Sequence, residues 1–347
     1  MKKKVTIQDI ADALGISRNT VSKAINNTEG LADATRERIL QKAMEMGYKQ
    51  FSYVGTLSGL SKQETSAPAE RGFQGEIALL TTAYLGQSHF ASLMLDRFQR
   101  ELSQLGYILS THRVDPENLS QRTLPITFLK ERVSAIVCIE MFHKEYDQMI
   151  CGLGIPVLFV DGPTNRDGYP LPADRLYMDN IAGITRLVNE MLLRGKRSIG
   201  FVGNYDHCQS FFERYLAFRS AMMLADVPVE DKFCIKTNHS HEVAEALAQL
   251  DELPDLFICA NDFVAIDTIQ ALKKLGKSIP GDVMLCGFDD SAESRIISPA
   301  LTTVHIHTQI MAYSATHLLM TRIKEPSLDY RTVHTETTLI LRESTND

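Results

Sequence analysis

The stretch that decides the architecture of this chain lies near its N-terminus: Thr6-Ile-Gln-Asp-Ile-Ala-Asp-Ala-Leu-Gly-Ile-Ser-Arg-Asn-Thr-Val-Ser-Lys-Ala-Ile25. Apolar residues recur at helical spacing through its first half, at Ile7, Ile10, Ala11 and Leu14. This spacing predicts an amphipathic helix. Thr6 precedes that helix, and Asp9 follows three residues later, which is the spacing of a capping box. Gly15 supplies the left-handed residue at which the helix ends.

A second helix is predicted to begin after Ser17, whose hydroxyl would cap it. Its inner side is small and apolar, with Val21, Ala24 and Ile25. The polar face carries no carboxylate and consists of Arg18, Asn19, Ser22, Lys23 and Asn26. Such side chains bind base edges and phosphates, and a short helix of this kind fits the major groove of DNA. The alternative is an ordinary solvated face.

The charge distribution separates the N-terminal segment from the rest. The first fifty residues carry nine Lys and Arg against six Asp and Glu, whereas the whole chain of 347 residues has a net charge of −7. A basic segment on an acidic body predicts that only the N-terminal part contacts a polyanion.

Composition narrows the cellular setting. We find no secretory segment and no apolar run long enough to span a bilayer, so a cytoplasmic protein without membrane contact is predicted. The six cysteines are irregularly spaced, and Cys138, Cys259 and Cys286 lie in apolar runs. These three are predicted to be buried thiols, with no disulfide framework and no zinc site.

From Glu76 onward, strand-like and helix-like segments alternate, with apolar strands such as 77–81, 135–139 and 256–259. This alternation predicts doubly wound parallel sheets. The fold class is therefore an all-α helix-turn-helix headpiece followed by an α/β body. The predicted domain bounds are 1–49 for the headpiece, 50–75 for a linker and 76–347 for the α/β body.

Several ordered motifs resemble the lac repressor/gal repressor (LacI/GalR) family of bacterial transcription regulators. In the headpiece they are Thr6-Ile-Gln-Asp-Ile-Ala11, Gly15-Ile-Ser17 and Thr20-Val-Ser-Lys23. In the body they are Gly154-Ile-Pro-Val-Leu-Phe-Val-Asp161, Met178-Asp-Asn-Ile-Ala-Gly183, Cys259-Ala-Asn-Asp-Phe-Val-Ala265, Gly287-Phe-Asp-Asp290 and Leu301-Thr-Thr-Val304. The resemblance covers most of the chain except about residues 50 to 75.

This resemblance implies that residues 50–75 form a hinge and that 76–347 form an effector-binding and dimerisation domain. That domain would have two lobes, similar to type I periplasmic binding proteins, with a ligand cleft between them. The first lobe would contain 76–161 and 300–325, and the second 162–299 and 326–347. The crossovers would lie near Asp161–Pro163, Asp290–Pro299 and Lys324–Ser327.

The resemblance also implies effector-binding residues. Arg214 matches the Arg of an Arg-x-x-Gly-Phe motif, with Ala217 at the Gly, and Asp262 matches the Asp of Ala-Asn-Asp. Asp161 matches a strand-end Asp, and His89 and Phe90 fall where many members have a first-lobe binding loop. The alternative for these carboxylates is capping of the following helices.

Two further features are expected to be structural. For Asp289 we favour helix capping over ligand binding. His305 and His307 could bind a metal, but no third ligand is evident, so a solvated or interlobe pair is predicted instead. No metal or cofactor is predicted, and no catalytic residue. The sequence contains neither a phosphate-binding glycine motif nor a nucleophile elbow, which argues against a nucleotide-dependent enzyme. A solute-binding protein of a sugar uptake system is the other alternative.

The predicted function is a ligand-responsive, sequence-specific transcriptional regulator, as a repressor and homodimer on a near-palindromic operator. Its effector would be a small molecule, a carbohydrate or derivative. Base contacts are assigned to Arg18, Asn19 and Lys23. Phosphate contacts are assigned to Thr6, Ser17, Thr20, Ser22 and Asn26.

The hinge departs from the family pattern. Members usually carry Asn-x-x-Ala-Arg-x-Leu, whose Leu enters the minor groove. Here the segment is Phe51-Ser-Tyr-Val-Gly-Thr-Leu57, in which Leu57 is retained but glycine and β-branched residues oppose a helix. A loosely tethered headpiece is therefore predicted.

Overall fold

The computed structural model describes residues 5–25, 72–82 and 89–346, with 31, 35–36, 38–39, 42–43 and 46. Helices α1 (Ile7–Leu14) and α2 (Arg18–Ile25) form the predicted pair in the headpiece. Parts of a third helical segment follow between residues 35 and 43. The helix-turn-helix prediction is confirmed for the described residues.

The body alternates strands with helices, as predicted. Its strands are β1 (Gly75–Thr81), β2 (Tyr107–Arg113), β3 (Val133–Ile139), β4 (Val157–Val160), β5 (Asp174–Met178), β6 (Ile199–Val202), β7 (Cys234–Ile235), β8 (Leu256–Cys259), β9 (Met284–Cys286), β10 (Thr303–Ile306), β11 (Thr332–Thr335) and β12 (Thr337–Ile340). Its helices are α3 (His89–Gln104), α4 (Pro116–Gln121), α5 (Lys144–Cys151), α6 (Ala182–Leu193), α7 (Gln209–Leu224), α8 (Ser240–Ala248), α9 (Asp262–Lys274), α10 (Ala292–Ile296) and α11 (Thr308–Lys324).

These strands form two parallel sheets, one in each lobe. The first sheet has the order β11-β5-β4-β3-β1-β2, and the second has the order β7-β6-β8-β9. Strands such as β3 and β4 are buried on both faces, which is characteristic of parallel sheets covered by helices. A two-stranded antiparallel ladder of β10 and β12 completes the body. The doubly wound fold class is confirmed.

The sheet pairing differs from the predicted division of the body. Strand β5 pairs with β4, and β11 pairs with β5, so both belong to the first sheet although we had assigned 162–299 and 326–347 to the second lobe. The chain therefore first leaves the first sheet after Met178, and it leaves again after Thr335. The predicted crossovers near Asp161–Pro163 and Lys324–Ser327 are displaced for this reason.

A buried ion pair explains why a strand with two charged residues lies in this sheet. Arg322 on α11 donates two hydrogen bonds to Asp174 on β5, at 2.9 and 3.1 Å. Both side chains are almost fully buried. Bidentate pairing offsets much of the cost of removing these charges from water.

Two crossing segments are hydrogen-bonded to each other beside the cleft. The backbone N–H of Asp179 donates to the carbonyl of Thr335 at 2.7 Å, and the hydroxyl of Thr337 donates to the carbonyl of Asp179 at 2.8 Å. The links between the lobes therefore lie side by side.

The headpiece packs through its own apolar residues. Ile10, Ala11, Val21 and Ala24 are buried in one cluster, which also includes Ile310 and Tyr313 of α11. The three cysteines predicted as buried thiols are buried. Among the described residues, no helix is both long and apolar enough to cross a bilayer.

Candidate nucleic-acid interface and ligand cleft

Helix α1 begins at the predicted capping box. The backbone N–H of Thr6 donates to Asp9 Oδ2 at 2.8 Å, and the N–H of Asp9 donates to Thr6 Oγ1 at 3.3 Å. Gly15 ends the helix in the left-handed conformation, with φ of 65°. These local bonds fix where α1 starts and where the chain turns towards α2.

Helix α2 presents its polar residues to solvent. Ser17 Oγ accepts a hydrogen bond from the backbone N–H of Thr20 at 3.1 Å, as the cap prediction required. Val21 is buried against the headpiece core, whereas Arg18 and Asn19 are exposed. No acidic residue occurs in the first turn, and Lys23 lies in the last turn. The helix can therefore bring a cationic, hydrogen-bonding face to a polyanion.

The residues predicted to contact phosphate differ in whether their hydroxyl groups already have hydrogen-bond partners within the headpiece. The hydroxyl of Thr6 donates to Asp9 Oδ2 at 2.7 Å, so this geometry supports a capping role for Thr6 rather than a phosphate contact. Ser17 and Thr20 share a hydroxyl–hydroxyl hydrogen bond at 2.8 Å. Asn26 and Leu57, which we also assigned to DNA, lie outside the described residues.

The cleft of the body is marked by acidic residues at strand ends. Glu140 follows β3, Asp161 follows β4 and Asp289 lies just beyond β9, with positive φ angles of 56°, 61° and 116°. Residues other than glycine rarely adopt such angles, and the associated strain concentrates at functional sites. The ends of β3, β4 and β9 therefore each carry an acidic residue in an unfavourable backbone conformation.

Arg214 on α7 lies at the centre of this group. Its Nε donates to Asn180 Oδ1 at 2.9 Å, and one terminal nitrogen donates to the carbonyl of Ala260 at 2.6 Å. The guanidinium carbon lies 3.6 Å from the centroid of the Phe288 ring. These contacts fix the plane of the guanidinium and leave Nη2 3.8 Å from Asp289 Oδ1. That distance is too long for a direct hydrogen bond.

Burial controls the electrostatics of the cleft. It raises the pKa of Asp289, and the neighbouring acids, including Asp161 and Glu140, raise that pKa further against the opposing effect of Arg214. Burial likewise raises the pKa of Asp161, although Oδ1 of Asp161 accepts backbone N–H bonds from Gly162 and from Ser210. The cleft therefore combines several carboxyl groups with one fixed cation.

Asp262, which the sequence predicts as an effector contact, is engaged by other groups of the protein. Its side chain is fully buried, and both carboxylate oxygens already accept hydrogen bonds: Oδ1 from the hydroxyl of Thr303 at 2.6 Å, Oδ2 from the N–H of Ser291 at 2.7 Å. This geometry supports a structural role that joins α9 to the start of α10 and to β10. These contacts favour a structural role for Asp262 over the predicted effector contact.

Asp289 is not the cap of the helix that follows it. We favoured helix capping for it, but the cap of α10 is Ser291, whose Oγ accepts from the N–H of Ser294 at 3.1 Å. Asp289 instead extends towards Arg214. Asp161 accepts a hydrogen bond from the first turn of α7 at Ser210, as a cap would, and it also lies near Arg214.

An aromatic contact that the sequence analysis missed joins the lobes at the cleft. Phe142, which follows β3, meets His207, which follows β6, edge to face with ring centroids 4.9 Å apart. His207 also lies 5.5 Å from the ring of Phe211 on α7. No local pattern signals this pair, because the two residues follow strands of different sheets. His89 and Phe90 begin α3, but their side chains are not described.

A second polar network lies behind the cleft. Asp290 Oδ2 accepts from His305 Nδ1 at 2.8 Å and from Arg295 at 2.7 Å, and Arg342 also pairs with Asp290. Burial by itself would raise the pKa of Asp290. The hydrogen bonds from His305, Arg295 and Arg342 have the larger effect and hold that pKa well below its usual range. Burial, together with the neighbouring His305, lowers the pKa of His307 to about 3.

Comparisons with known proteins cover both parts of the chain. The family model described as "Bacterial regulatory proteins, lacI family" matches residues 6–50, and that described as "Periplasmic binding protein-like domain" matches residues 188–345. The HTH-type transcriptional repressor PurR of Actinobacillus pleuropneumoniae is 25% identical over 347 residues, which cover 98% of each chain. The HTH-type transcriptional regulator GalR of Lacticaseibacillus casei is 28% identical and covers 98% of this chain and 99% of that protein.

Solved structures show the same arrangement of domains. A complex of the transcriptional regulator CelR with cellobiose has a TM-score of 0.67 and 21% identity, and it covers 98% of this chain and all of that chain. The lac repressor dimer bound to operator and the anti-inducer ONPF has a TM-score of 0.66 and 18% identity, covering 99% of this chain and all of that chain. These structures share the fold of this chain from the headpiece to the end of the body.

Proposed function

Since this chain belongs to the lacI family of bacterial regulatory proteins and is a DNA-binding transcriptional regulator, we propose that it acts as a repressor controlled by a sugar or sugar derivative. The effector binds in the cleft between the two lobes, with Arg214 and Asp289 as its main polar contacts. Asp161 adds a carboxylate from the first lobe.

The observation that carries this proposal is the geometry of Arg214 and Asp289. The guanidinium is held in a fixed plane, and its Nη2 faces a carboxylate oxygen at 3.8 Å, too far for the two to satisfy each other. A sugar hydroxyl can accept from the guanidinium and donate to the carboxylate at the same time. Similar regulators have been solved with cellobiose and with ribose, which supports a carbohydrate as the class of ligand.

Operator binding is assigned to the exposed face of α2. Arg18 would contact guanine and Asn19 adenine in the major groove, while Lys23 would contact guanine or phosphate. Since a homodimer has two-fold symmetry, each headpiece would contact one half of a near-palindromic site. The effector would favour one arrangement of the lobes and so change the affinity of the paired headpieces for DNA.

The test compares two charged residues of the cleft, Asp289 and Arg214, with a control on the helix of Arg214. A panel of neutral sugars is screened against the full-length chain by calorimetry, and the sugar that binds is used with Asp289→Asn and Arg214→Lys. Loss of a charge-assisted hydrogen bond is expected to weaken binding by about tenfold or more. Arg219→Lys is the matched control, because Arg219 lies on the same helix as Arg214, is partly exposed and pairs with Asp231.

Operator affinity without sugar is measured for each variant. We expect it to stay near wild type in all three, while the sugar response is lost only in the Asp289 and Arg214 variants. If wild type and both cleft variants bind the sugar with equal affinity, Arg214 and Asp289 are not the effector contacts.

A further inference from the structure

The connection between β4 and β5 of the first sheet reaches across to the second lobe. These strands are parallel neighbours, so the chain between them must travel back along the sheet. Residues 161–173 do this without a helix, and Pro163 and Pro170 restrict their backbone. We call residues 162–167, which follow Asp161 at the cleft, the strap.

Two hydrogen bonds join the strap to the start of α7 in the second lobe. The backbone N–H of Gln209 donates to the carbonyl of Gly162 at 2.9 Å, and the N–H of Asn165 donates to Gln209 Oε1 at 2.8 Å. Gln209 is the first residue of α7, where backbone N–H groups have no partner within the helix. The strap therefore supplies an acceptor that this helix end requires.

An ion pair also joins the strap to the second lobe. Arg166 pairs with Asp206, which lies in the loop after β6. The guanidinium carbon of Arg166 also lies 5.3 Å from the centroid of the Phe212 ring on α7. The hydrogen bond from Lys236 and the charge of Arg166 lower the pKa of Asp206, so this carboxylate is ionised at neutral pH.

The next residue of the strap is anchored within the first lobe instead. Asp167 pairs with Lys144 of α5, and it accepts a hydrogen bond from the backbone N–H of Tyr169 at 3.1 Å. The side chains of Lys144 and Asp167 are 22% and 52% exposed, and those of Arg166 and Asp206 are 51% and 34% exposed. Adjacent residues therefore form two partly exposed ion pairs, of which the pair of Arg166 crosses between the lobes and the pair of Asp167 does not.

We propose that the strap is a latch that stabilises the arrangement of the lobes seen in this structure, with the Arg166–Asp206 pair as its electrostatic part. Its contacts with the second lobe form only when the lobes approach each other, so they shift the equilibrium between lobe arrangements before any effector binds. A partly exposed ion pair contributes little, and we expect that of Arg166 to shift this equilibrium by about two- to fivefold.

The latch has a consequence for the effector, and this consequence rests on the proposed function. Arg214 and Asp289 belong to the second lobe and Asp161 to the first, so an effector held by all three favours the same approach of the lobes. Without the Arg166 pair, a smaller fraction of the protein has the binding arrangement. The apparent affinity for the effector then falls, although Arg166 is not one of the proposed effector contacts.

Amide hydrogen exchange of the full-length chain without ligand tests the latch. The reporter is the backbone N–H of Gln209, whose acceptor, the carbonyl of Gly162, lies across the boundary between the lobes. Arg166→Gln should accelerate exchange of this amide by about two- to fivefold. Lys144→Gln is the matched control, because it removes the ion pair within the first lobe, and it should leave this exchange unchanged.

A sugar titration tests the consequence for the effector. The sugar that binds in the calorimetric screen is titrated against wild type, Arg166→Gln and Lys144→Gln, and binding should be about two- to fivefold weaker in the Arg166 variant alone. Equal affinity in all three overturns the link between the latch and the effector. If no sugar binds, the proposed function fails, and the exchange measurement still decides whether the latch exists.

Salt and a double-mutant cycle separate an electrostatic latch from a disturbed loop. Raising NaCl from about 0.05 to about 0.5 M should bring exchange in wild type towards that in Arg166→Gln, because salt screens exposed charges. Arg166→Gln combined with Asp206→Asn should exchange no faster than Asp206→Asn alone. The proposal is overturned if Arg166→Gln exchanges like wild type, if Lys144→Gln has the same effect as Arg166→Gln, or if the effects of the two single variants multiply.

Discussion

The headpiece and the cleft differ in how far along the chain their partners lie. In the headpiece, Thr6 and Asp9 are three residues apart. In the cleft, the partners of Arg214 are 34 and 46 residues away, at Asn180 and Ala260. The headpiece is therefore specified by local rules of helix capping, whereas the cleft exists only after both sheets have formed.

The largest expected effect is a difference in the free energy of unfolding between variants of Asp262 and Asp289. Asp262→Ala should lower the free energy of unfolding by about 2–4 kcal/mol, because it leaves Ser291 N–H and Thr303 Oγ1 without their buried acceptor. Asp289→Gly should change it by less than about 1 kcal/mol, because glycine tolerates the φ of 116° at this position. Urea unfolding of the full-length chain measures both.

The same pair has opposite effects on ligand response. Asp262→Ala should keep sugar affinity wherever it remains folded, and Asp289→Gly should lose it. If Asp289→Gly is as destabilising as Asp262→Ala, the distinction between a structural and a ligand-facing carboxylate fails.

The next effect is on operator recognition. Arg18→Ala should cost about 1–3 kcal/mol in operator affinity and relax the preference at one base pair, because Arg18 is assigned to a base edge. Thr20→Ala should weaken all sequences alike, since a hydroxyl near phosphate carries no base information. Selection of binding sites from a random pool with each variant is the measurement, and an unchanged selected sequence for Arg18→Ala would contradict the assignment.

A smaller effect is expected at the cap of α1. Thr6→Ala should destabilise the headpiece by about 1 kcal/mol, because it removes one half of the capping box with Asp9. Hydrogen exchange of α1 amides should become faster while the selected operator sequence stays the same. A changed sequence preference would show that Thr6 does more than cap the helix.

The smallest effect concerns the hinge. Leu57→Ala should cost less than about 1 kcal/mol in operator affinity, and an operator with one inserted base pair between its halves should still bind, because this segment opposes helix formation. Binding assays with spacing variants test this, and a sharp loss of affinity on insertion would contradict the loosely tethered headpiece.

The elements that short-range patterns decide are predictable from the sequence. The cap at Ser17, the turn at Gly15 and the buried cysteine strands followed from spacing and apolar runs. Strand β5 was missed because Asp174 and Arg175 give it a polar start. The buried Asp174 is paired with Arg322, 148 residues later, and with Arg331. No local pattern contains that information.

The sequence could not predict which of the acids at strand ends faces a ligand and which is structural. Asp262 and Asp289 both follow strands of the second sheet, and either could bind a ligand or cap a helix. What distinguishes them is whether Thr303 and Ser291 occupy the carboxylate, and this depends on how the crossing segment packs. Phe142 and His207 were missed for the same reason, since they belong to different lobes.

The left-handed backbone at the strand ends has a consequence for how this cleft can diverge during evolution. At Asp161 and Asp289, few side chains other than Asp, Asn and Gly tolerate the observed φ angles. Substitutions at these two positions are therefore confined to a narrow set, and a duplicated copy of this regulator cannot easily acquire a new ligand by changing them. New specificity is more accessible at neighbouring positions with ordinary backbone, such as Phe142 and His207. The strained carboxylates would then persist as a constant feature while the surrounding aromatic side chains vary between descendants.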